Sequence, residues 1–419
     1  MNVYVETYGC TANKSDAALI KGVLHRNGYN IVETVENADA IVVLTCTVID
    51  TTEQRMLSRL KNLKKTGKKI VVSGCMASVQ VDKVKTVLPD AQFLPPQYPY
   101  HIVEILDKKE TTCFVEKNKT LFPRYYDDII APISIAEGCM FSCSYCITSL
   151  ARGRLRSYPI NEIKKTVQQA LKQGCKEIQL TAQDTSSYGL DIRSNLGDLL
   201  NSICMINDDD FRIRVGMMNP CTCLKKLDSI IQGFNDSKIY KFLHLPVQSG
   251  DDEILSKMNR KYTVDDFHKI IQRFRERYPD VSISTDIIVG FPTETDEQFQ
   301  HTIDLLKNVK PDIVNITRYS ARPFTKAKTM KGRISTDVVK ERSKKLTKLC
   351  NKISKKNNLK YINREYTVLI TKRGKNNTIM GRMENYKPVV IPERNIELGS
   401  FINVKIIDAT STYLVGSII

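Results

Sequence analysis

The chain has 419 residues, of which 42% are hydrophobic and 26% charged, enough for two or three globular domains and ordinary for a non-membrane protein. No run approaches the roughly 18 consecutive apolar residues that cross a bilayer. The start MNVYVETYGC has no basic segment, apolar core and small-residue cleavage site, so a cytoplasmic location and no membrane contact are expected. Twelve cysteines in a reducing compartment point to metal ligation, redox chemistry or burial rather than disulfides.

In chain order, the β-rich apolar runs 3–7, 40–45 and 69–73 read as buried strands, and helical spacing over 14–27 and 53–65 places helices between them. This alternation predicts a parallel sheet with helices on both faces over residues 1–115. Each strand runs into a cysteine at or near its carboxyl end: Cys10, Cys46 and Cys75. Ligands bind at that edge of open parallel sheets, so three cysteines far apart in sequence are expected to meet there.

A second series occupies residues 128–357. Strands are predicted over 132–136, 177–182, 212–216, 242–247, 282–289 and 314–320, with helices over 160–173, 264–278 and 295–308. Six strand–helix units suggest a partial (β/α)6 barrel with its chemistry at the strands' carboxyl ends. One long helix is expected over 336–360, with Val339, Leu346, Leu349 and Ile353 as its apolar stripe. Residues 322–360 carry 14 Lys and Arg against two acidic residues, a large part of the net charge of +17. Such a block suits a polyanion, RNA being the obvious one, although a charge run of this kind is also compatible with a plain solvated face. Short strands over 366–371, 388–391, 400–407 and 412–417 suggest a small closed β-barrel, OB-like, over 358–419. The fold class is therefore α/β followed by a small β-barrel.

The strongest chemical signal is EGCMFSCSYC at 137–146. Its spacing lets one tight loop aim Cys139, Cys143 and Cys146 at three corners of an iron–sulfur cube. A [4Fe–4S] cluster usually takes four cysteines, so three leave one iron open. The open iron can chelate the amino and carboxylate groups of S-adenosylmethionine, whose one-electron cleavage releases a hydrogen-abstracting radical. A zinc site is the alternative, but zinc wants a fourth protein ligand. Tyr145 is placed to lie against the adenine. Gln183, Asp184 and Asp286 sit at strand ends, where they either contact cofactor or substrate hydroxyls or cap the following helix. Gln248 and Arg318 are candidates on the same ground, and His244 is read as packing. Cys113, Cys175, Cys204, Cys221, Cys223 and Cys350 show no ligand pattern and are read as structural.

Cys10 in ETYGCTAN, Cys46 in LTCTV and Cys75 in SGCMA, together with the 139–146 loop, resemble the radical S-adenosylmethionine methylthiotransferases over nearly the whole chain. The last 60 or so residues, with GRMENYKPVV, resemble the TRAM domain, an RNA-binding barrel. LTAQDTSSYGLD at 180–191, RVGMMNP at 214–220, HLPVQS at 244–249 and ARGRLRSYP at 151–159 resemble the archaeal and eukaryotic branch. The resemblance implies two [4Fe–4S] clusters, the second on Cys10, Cys46 and Cys75 with an open iron that carries sulfur. It implies methylthiolation at carbon 2 of N6-threonylcarbamoyladenosine 37 in the tRNA anticodon loop, by a monomer served by an electron-donor protein and a sulfur source. The rival acceptors are isopentenyladenosine in tRNA and an aspartate of a ribosomal protein; a rival of another class is a non-catalytic iron–sulfur RNA-binding sensor. One departure stands out: the family's Arg-Pro-Gly-Thr-Pro-Ala reads RPFTKA at 322–327 here.

Overall fold

The computed structural model describes residues 1–107, 114–208, 210–393 and 395–419; Cys113 lies outside them. The chain divides into two units, the first formed by 1–173, 181–183 and 320–328, the second by 174–180, 184–319 and 329–419.

In the first unit a parallel five-stranded sheet runs in the order Asn30–Val32, Asn2–Thr7, Ala40–Thr45, Lys69–Gly74, Gln92–Leu94. Period-two alternation sends Val3, Val42, Leu44 and Val71 to one face and Ile41, Val43, Ile70 and Val72 to the other. Helix Thr11–Arg26 covers the first face and helix Asp50–Lys64 the second, so central strand Ala40–Thr45 is buried throughout. The three expected strands are present. The two edge strands are three residues each and too short to carry a pattern of their own. Strand Ile130–Ser134 lies beside helix Thr11–Arg26, where Ser134 N donates to Ser15 Oγ at 3.1 Å and Tyr125 N to Ala18 O at 2.9 Å.

In the second unit Arg212–Val215 pairs parallel with residues 177–180, and Phe242–His244, Ser282–Val289 and Ile313–Arg318 form a parallel set. Helices Val264–Arg277 and Asp296–Val309 start at Thr263 and Thr295, each closing a reciprocal capping box. Helix Thr336–Leu359 has the expected length, but its buried stripe differs from the apolar one. Val339, Arg342, Leu346, Cys350, Ser354 and Asn358 face inward, whereas Leu349 and Ile353 are only half-buried. Hydrogen bonding explains this: Arg342 Nη1 donates to Glu294 Oε2 at 2.8 Å, Ser354 Oγ to Asp312 O at 2.7 Å, and Asn358 Nδ2 to Thr410 O at 2.9 Å. Lys340, Lys344, Lys345, Lys348, Lys352, Lys355 and Lys356 stay exposed on the other side.

The chain ends in a closed barrel, ordered Glu365–Arg373, Ile379–Arg382, Pro388–Ile391, Leu414–Ile418, Phe401–Ala409. Strand Ile379–Arg382, not expected from the sequence, completes it. Its GRMENYKPVV segment turns inward onto the rest of its own unit. The Tyr386 ring meets those of Tyr240 and Phe242 at 4.8 and 5.0 Å, Arg382 lies 4.4 Å over it, and its hydroxyl donates to Glu177 at 3.1 Å. Lys387 Nζ donates to Asp312 Oδ1 at 2.7 Å and Asn358 Oδ1 at 2.8 Å. A segment whose resemblance suggests RNA contact therefore anchors the barrel. Tyr386 is half-buried, so Tyr386→Ala is expected to cost about 2–3 kcal/mol, below the range for a fully buried aromatic, read as a lower thermal unfolding midpoint.

Candidate metal centres

All six candidate cluster cysteines fall in the first unit. Cys10 follows strand Asn2–Thr7 and opens helix Thr11–Arg26, Cys46 directly follows Ala40–Thr45, and Cys75 directly follows Lys69–Gly74. Sheet register alone brings these three strand ends together. Glycine lets them come close. Gly9 sits at φ +96°, and a Cβ there would lie 2.8 Å from Cys46 Cβ; Gly74 sits at φ +78°, and a Cβ would meet Thr45 O at 2.4 Å.

The three thiols lie within electrostatic reach of one another. Burial pushes Cys46 upward, and Cys10 adds to that. Burial likewise pushes Cys75 up to about 12; Arg152 opposes this, while Cys10 and Cys46 add to it. Thiols that burial holds protonated, as at Cys46 and Cys75, are stabilised as thiolates by a bound cationic centre. None of the six is in a disulfide. Among the described residues no three His, Cys, Asp or Glu are close enough to share one metal ion.

Cys139, Cys143 and Cys146 form a half-buried loop. Cys146 N donates to Cys143 O at 3.1 Å, Phe141 N to Cys139 Sγ at 3.5 Å, and Cys139 N to Gly153 O at 3.1 Å, so the thiols are held by backbone. From the segment 320–328, Ala327 N donates to Ser144 O of this loop at 2.8 Å. Phe324, at φ +62° and 75% exposed, keeps a left-handed turn where the family pattern has glycine. An L-residue there costs roughly 1–2 kcal/mol.

Between the two sets lies a network that sequence reading missed. Arg152 donates to Glu137 Oε1 at 2.7 Å, Asp16 Oδ2 at 2.9 Å and Asn13 Oδ1 at 2.8 Å. Lys119 Nζ donates to Asp16 Oδ1 at 2.7 Å, Pro96 O at 2.6 Å and Glu137. Asn13 Nδ2 donates to Thr45 O at 2.9 Å, one residue before Cys46. Burial alone would raise the Glu137 carboxyl, but Lys119 and Arg152 hold it below the ordinary range. Burial also opposes the Arg152 charge, yet Asp16 and Glu137, then Cys75 and Cys10, keep it protonated. A signal existed: Asn13 and Asp16 are three apart on one helix face, and Glu137 and Arg152 bracket the cysteine loop.

The other expected residues fare differently. Tyr145 is half-buried in the loop. The Gln183 Oε1 atom is buried with no hydrogen-bond partner among the described residues. Asp184 is 1% exposed and accepts from Ser186 N, Ser186 Oγ, Asn219 N and Thr222 Oγ1 at 2.6–3.1 Å, which describes capping. Asp286 Oδ1 is joined to His244 Nε2 at 3.1 Å and Asn315 Nδ2 at 2.7 Å, so His244 has a polar partner. Gln248 takes φ +73° and its N donates to Asp286 O, while Arg318 is exposed. Cys175, Cys223 and Cys350 are buried.

Residues 133–306 match the family described as Radical SAM superfamily, 2–94 an uncharacterized protein family, UPF0004, and 359–419 the TRAM domain. A probable threonylcarbamoyladenosine tRNA methylthiotransferase of Archaeoglobus fulgidus is 42% identical, covering 100% of this chain and 99% of its own. A tRNA-2-methylthio-N(6)-dimethylallyladenosine synthase of Fusobacterium nucleatum is 35% identical, covering 99% and 98%. Among solved structures, a radical S-adenosylmethionine methyltransferase of Kitasatospora setae with cobalamin and a [4Fe–4S] cluster has the same fold with a TM-score of 0.57, at 14% identity over 78% of this chain and 76% of its own.

Removing one member of the four-charge network strands its partners in the interior. Lys119→Met is expected to cost about 3–5 kcal/mol, measured by chemical denaturation.

Proposed function

The chain belongs to the radical S-adenosylmethionine methylthiotransferases, and from that premise we propose that it inserts a methylthio group at carbon 2 of N6-threonylcarbamoyladenosine 37 of tRNA. The observation that carries the reading is the pair of three-cysteine sites held in one unit by one buried ion network. Bound, the two [4Fe–4S] clusters and S-adenosylmethionine supply a hydrogen-abstracting radical and a sulfur source, which an sp² C–H of negligible acidity demands.

In this proposal Cys139, Cys143 and Cys146 hold the radical cluster, and Cys10, Cys46 and Cys75 the second one. Tyr145 and Gln183 contact the cofactor; Gln183 supplies an acceptor for an N–H or O–H of the ligand. Asp286, oriented by His244 and Asn315, receives a hydroxyl, whereas Asp184 acts through the turn it caps. The exposed lysines of helix Thr336–Leu359 hold phosphates without reading sequence, so tRNA binding weakens steeply with salt. The target carbon is reached once its base leaves the stack of the anticodon loop. The residue divisions 1–115, 128–357 and 358–419, a cytoplasmic monomer, an electron-donor protein and a separate sulfur source belong to the same reading. No described helix is long and apolar enough to cross a membrane.

The Fusobacterium relative, 35% identical, keeps the dimethylallyl base as the second reading for the acceptor. Mass spectrometry of tRNA nucleosides from a deletion strain separates the two. Loss of 2-methylthio-N6-threonylcarbamoyladenosine is expected; unchanged levels would sink the proposed acceptor. Under anaerobic conditions with reductant, Cys143→Ala is expected to abolish 5′-deoxyadenosine formation. Cys46→Ala is expected to retain it and lose methylthiolation, and no 5′-deoxyadenosine from the wild type with an intact cluster would leave the sensor reading in place.

A further inference from the structure

The segment 320–328 has a second anchor, at the Cys46 side. Arg322 is 3% exposed although it lies in a loop. Its guanidinium pairs with Glu53, itself 1% exposed, and Nη2 donates to Thr47 Oγ1 at 3.2 Å, one residue after Cys46. Cys46 lies within its electrostatic reach. The Arg322 Nε–H is buried with no hydrogen-bond partner among the described residues. Five residues on, Ala327 N is bonded to the radical loop at Ser144 O, 2.8 Å away. One short stretch of chain thus touches both three-cysteine sites.

Glu53 pairs with Arg322 and with Lys83, whose side chain is 44% exposed and screened by solvent, and also accepts from Gln80 Nε2 at 2.6 Å. Asp50 lies 3.8 Å from Arg322, but it is 61% exposed and solvent screens it. The four-charge network around Arg152, by contrast, holds two cations and two anions and is neutral in itself. The Arg322 guanidinium therefore sits beside Cys46 with a buried Nε–H that has no partner among the described residues. Hydrogen bonds from a guanidinium to an anion are the strong, directional kind.

We propose that Arg322 is a positioning residue that receives the anionic sulfur, hydrosulfide in its simplest form, which this enzyme takes up at the second cluster before transfer. The inference rests on the second-cluster reading given above. Each thiolate and each added sulfur anion raises the negative charge of a site in which Cys46 and Cys75 are buried, and a buried guanidinium offsets that rise. The anchor at Ser144 directs the captured sulfur toward the radical loop instead of bulk solvent.

The test uses the full chain with Cys139, Cys143 and Cys146 all changed to Ala, reconstituted so that only the second cluster remains, and titrated with sodium hydrosulfide by electron paramagnetic resonance. With Arg322 intact, a saturable spectral change is expected. Arg322→Gln is expected to raise the apparent Kd by about tenfold or more, about 1.4 kcal/mol. Arg322→Lys, which keeps the charge and loses the fork, recovers part of it and serves if the Gln variant fails to fold. Lys83→Met, which removes the exposed partner of Glu53, leaves the Kd within about twofold, a factor small against a tenfold effect. Equal hydrosulfide affinity in both Arg322 variants, with iron content retained, would overturn the proposal and leave Arg322 a structural tie. Absence of any cluster in the triple-alanine background would overturn the second-cluster reading itself.

Discussion

Four charged side chains, Lys119, Asp16, Glu137 and Arg152, are each 2% exposed or less and are joined to one another, and the geometry of the first unit follows from that. Taking an ion out of water costs several kcal/mol, and the loss is offset only when every partner is met at good geometry. Asp16 comes from the helix that Cys10 opens, Glu137 from two residues before Cys139, and Arg152 from six residues after Cys146. Satisfying all four at once leaves little freedom in how the two cysteine sets are placed relative to each other. Hydrophobic packing, which is non-directional, could not define that relation as sharply.

The cysteines sit where the fold offers them least resistance to ligation. A parallel sheet brings the carboxyl ends of strands Asn2–Thr7, Ala40–Thr45 and Lys69–Gly74 to one edge, and Gly9 and Gly74 remove the Cβ atoms that would block the close approach. Cys10 also stands at the N-terminus of a 16-residue helix. The loop at 139–146 reaches the same end by other means, through backbone hydrogen bonds made within a few residues of sequence. One site is therefore assembled by topology and the other by local spacing.

That difference separates what was legible from what was not. The strands and helices of both series were readable because burial imposes a period on the side chains, and strands Ala40–Thr45, Ser282–Val289 and Pro388–Ile391 begin and end where the pattern does. The stripe of helix Thr336–Leu359 was misread, because Arg342, Ser354 and Asn358 face inward on the strength of partners at Glu294, Asp312 and Thr410 that no periodicity reveals. The inward contacts of Tyr386 and Lys387 in the terminal barrel were equally out of reach of a linear pattern, because Glu177 and Asp312 lie far away in sequence.

Spacing within the 139–146 loop puts, by sequence alone, three cysteines on one short stretch of chain, the pattern from which a three-thiolate site was read. Cys10, Cys46 and Cys75 were placed at strand ends by the same hydrophobic runs that define the strands. Tertiary structure decided the rest. Only folding brings Glu53 to Arg322 across some 270 residues, and Asp16 to Arg152 across 136. A buried charge chooses its partner by distance in space, and a linear pattern carries no record of that distance until the chain has closed.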